Sequence, residues 1–206
     1  MKTLNYLFTV FCVIAFISCS NGSDKQQNTN ISDLDNYNDA FKKASKTEIH
    51  VDTVFLGLRF GMTKKEVSSH MQEMRRTGKI KVNTLDQYEY LFKTNNGDIG
   101  ARIGADFYED KLYEVSLDLS TYYINGIPSH SMDLDVMIDQ VRSIFLSKYI
   151  VNKGIFDKYH YNIGIGDTHC YVNKNLVVEF SPLGRVTYTN APISAKMMSL
   201  KRKVLE

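Results

Sequence analysis

Between Tyr161 and Tyr188, apolar and polar residues alternate through a series of turn signals. A chain patterned this way can bury one side as an antiparallel sheet. Gly166-Asp167 marks a two-residue turn, and Asn173-Lys174-Asn175 and Pro182-Leu183-Gly184 mark three-residue loops. Asn175 and Gly184 then hold the third loop position, which favours a left-handed backbone. The spacing puts Tyr161, Ile163, Ile165, Cys170, Val172, Leu176, Val178, Phe180, Val186 and Tyr188 on one apolar face, ready for a helix to cover.

An earlier stretch follows the same rule. With loops at Asn95–Asp98 and Glu109–Lys111, Phe92 faces Ala101, Tyr90 faces Ile103 and Tyr88 faces Ala105. On the next pair Phe107 faces Tyr113, Ala105 faces Val115 and Ile103 faces Leu117. A slip of one residue would bring Glu114 and Ser116 onto the apolar side, so the hydrophobic pattern specifies the register.

Each meander is preceded by a helix signal. Thr63-Lys64-Lys65-Glu66 is a capping box, Val67, Met71 and Met74 share a helical face, and Gly78 suits a helix end, which predicts a helix over 63–77. Asp133 followed by Leu134, Ile138, Val141 and Phe145 predicts a second over 133–149. Ile49, Val51 and Phe55 suggest a strand leading into Gly57 and Gly61. The expected fold class is therefore α+β, made of two helix-plus-antiparallel-meander units with each helix on one sheet face. The units span 48–126 and 127–206, and they can equally form one continuous domain. The run 108–112 faintly echoes 171–176, through either duplication or shared turn chemistry.

The first nineteen residues bear on location. Lys2 precedes a mostly apolar run from Leu4 to Ile17, and Phe16-Ile17-Ser18-Cys19 follows. The run is shorter than the roughly 20 residues a membrane span needs. It resembles a bacterial lipoprotein signal peptide over 1–18, with Cys19 as the lipid-bearing first mature residue. That resemblance implies a lipid membrane as one partner and the bacterial cell envelope, the outer membrane first, as the location. Residues 19–47 then read as a flexible tether, polar over 20–30, with a short helix over 31–46. Removing residues 1–18 from 206 also removes Lys2 and lowers the formal net charge from +2 to +1. A near-neutral chain has no general attraction for nucleic acid. With Cys12 removed and Cys19 acylated, Cys170 is left without a disulfide partner.

Phe60-Gly61-Met62-Thr63-Lys64-Lys65-Glu66-Val67 also resembles the helix start of small envelope lipoproteins in the outer-membrane-assembly family and of the related β-lactamase-inhibitor fold. That likeness implies α-β-β modules that bind other proteins through a sheet surface. The assembly lipoproteins follow this helix with a Gly-x-Pro turn, whereas this chain has Thr77-Gly78-Lys79-Ile80. No binding residues carry over.

No phosphate loop, zinc spacing, calcium loop or nucleophile elbow occurs, so no cofactor and no enzymatic activity are expected. In the expected register His160 lies opposite Asn173, about 13 Å along the strand from His169, too far to share a metal. Cys170 points to the apolar face, away from both histidines. Asp106 and Glu114 face each other on the polar side, with Arg102 opposite Asp118 nearby. Gly100, Gly104 and Gly164 share that side and leave room for a partner. Tyr108, Tyr171 and the Tyr122-Tyr123 pair are the tyrosines expected to be exposed. The candidate partner-binding residues are therefore Tyr108, Asp106, Glu114, His160, His169 and Tyr171. The leading expectation is a tethered binding protein with an envelope protein as partner. The alternatives are a glycan-binding accessory lipoprotein and an envelope hydrolase with an unrecognised site.

Overall fold

The computed structural model of the chain describes residues 23–149, 156–162 and 164–205. The signal segment and Cys19 lie outside the described residues. The protein is α+β, as its patterning implies, but its strands form one antiparallel sheet rather than two. Helix α1 spans Ser23–Ala44 and α2 spans Lys64–Arg76. The first meander is β1 (Lys81–Val82), β2 (Tyr88–Lys93), β3 (Asp98–Tyr108) and β4 (Lys111–Ile124), with β5 (Ile127–Ser129) folding back on β4. After α3 (Leu134–Tyr149) come β6 (Asp157–Asn162), β7 (Asp167–Asn173), β8 (Leu176–Ser181) and β9 (Arg185–Asn190), then α4 (Ala191–Leu205). The strand order is β1-β2-β3-β4-β9-β8-β7-β6, so the last strand of each meander pairs with that of the other.

Both predicted helices form. Thr63 caps α2: its hydroxyl accepts from the Glu66 N–H at 3.2 Å, and Glu66 accepts from the Thr63 N–H at 2.7 Å. Gly78 follows with φ +71°. Val67, Met71 and Met74 from α2 and Met137, Ile138, Val141 and Phe145 from α3 are buried on the same sheet face, against Ile99, Leu117, Val178, Phe180 and Val186. Leu134, expected in that stripe, remains 36% exposed. The strand expected from Ile49 to Phe55 is instead an isolated bridge, Thr53 to Arg59, around a tight turn at Phe55–Gly57.

The hairpin registers differ from expectation in instructive ways. Thr94 donates to the Gly97 carbonyl through both its N–H and its hydroxyl, closing the β2–β3 loop one residue early. Tyr90 therefore faces Ala101, and Phe92 faces Ile99. Both partners move by two residues, which preserves the face. At the β3–β4 turn, Glu109 and Asp110 both take positive φ in a two-residue turn, so Phe107 meets Leu112 and not Tyr113. A bulge after Asp106 restores Ala105 opposite Val115 and Ile103 opposite Leu117.

The β7–β8 turn is also two residues long, and here the face does change. Asn175 is fully buried; it accepts a hydrogen bond from the Val51 N–H and donates to the Val51 carbonyl. The left-handed position falls to Lys174, at φ 56°. Val172 thus faces Val177, and Cys170 faces Glu179, a one-residue slip that turns Cys170 and Val172 to the side opposite α2 and α3. There they join Tyr161, Val177 and Ala191 beneath Tyr37, Phe41 and Ala44 of α1. The segment expected as a tether is accordingly a helix from Ser23, and its C-terminal half is docked on β6–β8. Once that half is fixed by packing, extending the helix N-terminally costs little.

Thr63→Ala removes the α2 cap acceptor. We expect a loss of about 1 kcal/mol in chemical denaturation, with Thr63→Ser retaining most of the stability.

Candidate binding face

The sheet face that carries α1 divides by chemistry. Three rows of cross-strand neighbours run across it. One reads Asp106, Glu114, Thr189, Val177, Val172; the next Gly104, Ser116, Thr187, Glu179, Cys170, Tyr159; the third Glu89, Arg102, Asp118, Arg185, Ser181. The rows are polar over β2, β3, β4 and β9; the first turns apolar at Val177 on β8, the second at Cys170 on β7, and the third ends on β8 at Ser181. The apolar part sits under α1, and the polar part forms the candidate site.

Asp118 is the hub. It accepts from Arg102 at 2.8 Å and from Arg185 at 2.5 Å. Burial opposes its ionisation, but the two guanidinium groups outweigh that and hold its pKa below the usual carboxylate value. Beside it, Glu89 is 1% exposed and bonded to the Lys81 ammonium at 2.9 Å and the Tyr123 hydroxyl at 3.2 Å. Lys81 also lies 4.0 Å from the Tyr123 ring centre.

Asp106 and Glu114 face each other, as the sequence implied. Glu114 accepts from the Thr189 hydroxyl at 3.1 Å. Its pKa is nonetheless raised, by burial first and then by the charges of Asp106 and Glu179. The glycines have a different role from the one expected. A Cβ on Gly100 would fall 2.6 Å from Glu89 Oε1, and one on Gly104 would fall 2.3 Å from Ser116 Oγ. Neighbouring side chains of the same sheet occupy that space. Gly164 lies in the β6–β7 loop with φ +91° and is not on this face.

The other candidates scatter. Tyr108 is half-buried, with the Lys196 ammonium of α4 4.8 Å from its ring centre. Tyr171, expected to be exposed, is 4% exposed and packs against Phe145 and Phe180 beneath α3. Tyr122 is likewise buried, and its hydroxyl donates to the Asn96 carbonyl at 2.7 Å. Buried rings leave less aromatic surface for a glycan.

The histidines require the largest correction. Asn162 bonds to the Gly164 N–H and to Asp167, making the β6–β7 loop four residues long. His160 therefore lies directly opposite His169, and the rings stack with centres 4.8 Å apart, far closer than the expected register allowed. His160 Nε2 is 3.3 Å from Asp167 Oδ1. The His169 pKa is lowered, first by burial and then by Arg142 and His160. Among the described residues, no three His, Cys, Asp or Glu side chains are grouped to hold a metal.

Cys170 is buried with its thiol 3.7 Å from Glu179 Oε1, and Tyr161 donates to the same oxygen at 3.1 Å. Burial, and then the Glu179 charge, push the Cys170 pKa up and disfavour the reactive thiolate. Arg185, which completes the charged hub, was not singled out from the sequence because its place depends on the pairing of β4 with β9.

The raised Glu114 pKa has a defined consequence for stability. The folded state binds the Glu114 proton more tightly than the unfolded chain. Glu114 thus favours folding below the ordinary value of 4.5, and that contribution is lost as pH rises through the folded pKa. Glu114→Gln should stabilise the protein at neutral pH by about 0.2–1 kcal/mol, the range for relieving an opposed like-charge pair. The gain should vanish in acid, which denaturation curves across pH will read. Comparison of the chain with protein-family models, characterised sequences and solved structures found no match.

Proposed function

We propose that this protein is a non-enzymatic, lipid-anchored binding protein of a bacterial envelope, joined to the membrane through Cys19. It contacts a partner protein through the polar half of the α1-bearing sheet face. The observation that supports this reading most is the polar field left beside α1, where Arg102, Asp118 and Arg185 are locked together and Asp106 and Glu114 lie in opposition. Such a surface has fixed charge positions, so it discriminates partners by electrostatic complementarity. The signal-type N-terminus supplies the anchor. Among the described residues, no helix is long and apolar enough to cross a membrane.

The test is in-cell crosslinking followed by mass spectrometry, comparing wild type, Cys19→Ser and Asp106→Lys. Asp106 is exposed and faces Glu114, so lysine there relieves repulsion and preserves folding while inverting the surface charge. We expect one recurrent envelope partner, lost with Cys19→Ser and reduced about tenfold, equivalent to ~1.4 kcal/mol, with Asp106→Lys. Equal recovery of the partner with a folded Asp106→Lys overturns the assignment of this face. Cys19→Ser protein that remains membrane-bound overturns the anchor.

A further inference from the structure

The course of α1 and the placement of exposed apolar side chains identify one end of the molecule. Ala44, at the helix C-terminus, packs in the cluster containing Val172 and Ala191, and the chain beyond it is bonded to Asn175 in the β7–β8 turn. Seven residues earlier, Tyr37 stacks on Tyr161 with ring centres 5.1 Å apart. Tyr161 pairs with Thr168, beside the β6–β7 loop. Toward its N-terminus, therefore, α1 climbs from the β7–β8 turn to the β6–β7 loop. The fourteen residues from Tyr37 back to Ser23 add about 21 Å in the same sense. Cys19 lies four residues before Ser23, a reach of at most about 14 Å. The β6–β7 loop extends at most about 13 Å past Tyr161. Cys19 can therefore come level with that loop.

The same end carries a set of uncovered apolar side chains. Ile165 in the β6–β7 loop is 56% exposed, and Leu183 in the β8–β9 loop is 66% exposed. Leu134 and Val136 open α3 beside them, where Leu134 lies against Gly184. The β4–β5 turn adds Ile124 and Ile127, the latter 69% exposed. These side chains come from four separate chain segments that open toward the same end of the sheet, with the Ile124–Ile127 turn reaching farthest, beyond the Asp118–Arg185 pair next to Leu183.

We infer that this end lies against a lipid bilayer, with Ile127, Ile165 and Leu183 entering the headgroup–acyl boundary. The inference rests on the anchored reading above and extends it from a point of attachment to a defined orientation. Apolar tips that remain in water cost free energy, and the same tips in an interface gain it, so an anchor that brings them to the membrane also holds them there. The exposed charges at this end include Asp133, Asp135 and Asp167. The contact is therefore apolar, and it does not depend on anionic lipid.

The chain contains no tryptophan, so a single introduced Trp reports on one place. Acylated Leu183→Trp, Ile127→Trp and Lys174→Trp proteins, the last marking the opposite end, are reconstituted into phosphatidylcholine vesicles with brominated acyl chains. Mass spectrometry establishes the lipid on Cys19. We expect Leu183→Trp and Ile127→Trp to be quenched at least about twofold more than Lys174→Trp, with no dependence on salt. Equal quenching of all three in acylated, vesicle-bound protein overturns the orientation and leaves the anchor standing. An unmodified Cys19 removes the anchored reading and the orientation with it.

Discussion

The pairing of β4 with β9 is the contact on which the rest of the structure depends. Val115 faces Tyr188 and Leu117 faces Val186 at the centre of the sheet, all four buried. Leu119 also donates to the Gly184 carbonyl at 2.8 Å, tying the β8–β9 loop to the same strand. Each meander alone would end in an open edge of unpaired backbone groups. Joined at these strands, the two edges satisfy one another, and among the described residues the margins are β1, β6 and the short β5 that folds back on β4. The join also sets α2 and α3 side by side on one face, so a single core serves both halves. On the other face it brings Arg185 to Asp118, a contact between residues 67 apart in sequence.

Burial on both faces explains why the second meander is the more apolar. Cys170-Tyr171-Val172 and Leu176-Val177-Val178 are continuous apolar runs, the pattern of strands covered on both sides. Tyr171 and Val178 face α3, while Cys170, Val172 and Val177 face α1. Strands β2 and β3 alternate instead, with Glu89, Arg102 and Asp106 on the open side. The amount of sheet that α1 covers is thus encoded in the strands it covers.

Side-chain facing was legible in the sequence wherever a register error came in steps of two, as at the β2–β3 loop, where Phe92, Tyr90 and Ala101 stay on the core side despite altered partners. It failed where a turn shortened by one residue with no bulge to restore the pairing. The deciding interaction at the β7–β8 turn is Asn175 with Val51, 124 positions away, and no local pattern announces it. The α2 cap, by contrast, was fully readable because every partner lies within four residues. The opposition of Asp106 and Glu114 could be read from one hairpin, whereas the Arg185 half of the charged hub required knowing how the two hairpins meet. The runs of adjacent apolar residues in β7 and β8 were a signal for a helix on each face, and reading them as simple alternation placed Tyr171 in solvent.

The polar field also explains why a charged surface can be built on a sheet without weakening it. The Asp118 carboxylate is shared between two arginines, and Glu89 is held by Lys81 and Tyr123, so each buried or half-buried acid has its compensating donor within the sheet. Glu114 is held less completely, with one hydroxyl donor and two acidic neighbours. A basic group from a partner placed over Asp106 and Glu114 would complete the compensation that the sheet itself leaves unfinished. If the loop end faces the bilayer, the strands stand inclined on the membrane so that the β4–β5 turn and the two loops meet it together, and this field looks sideways rather than into the lipid. A partner embedded in or attached to the same membrane would meet it there without the anchored domain having to turn.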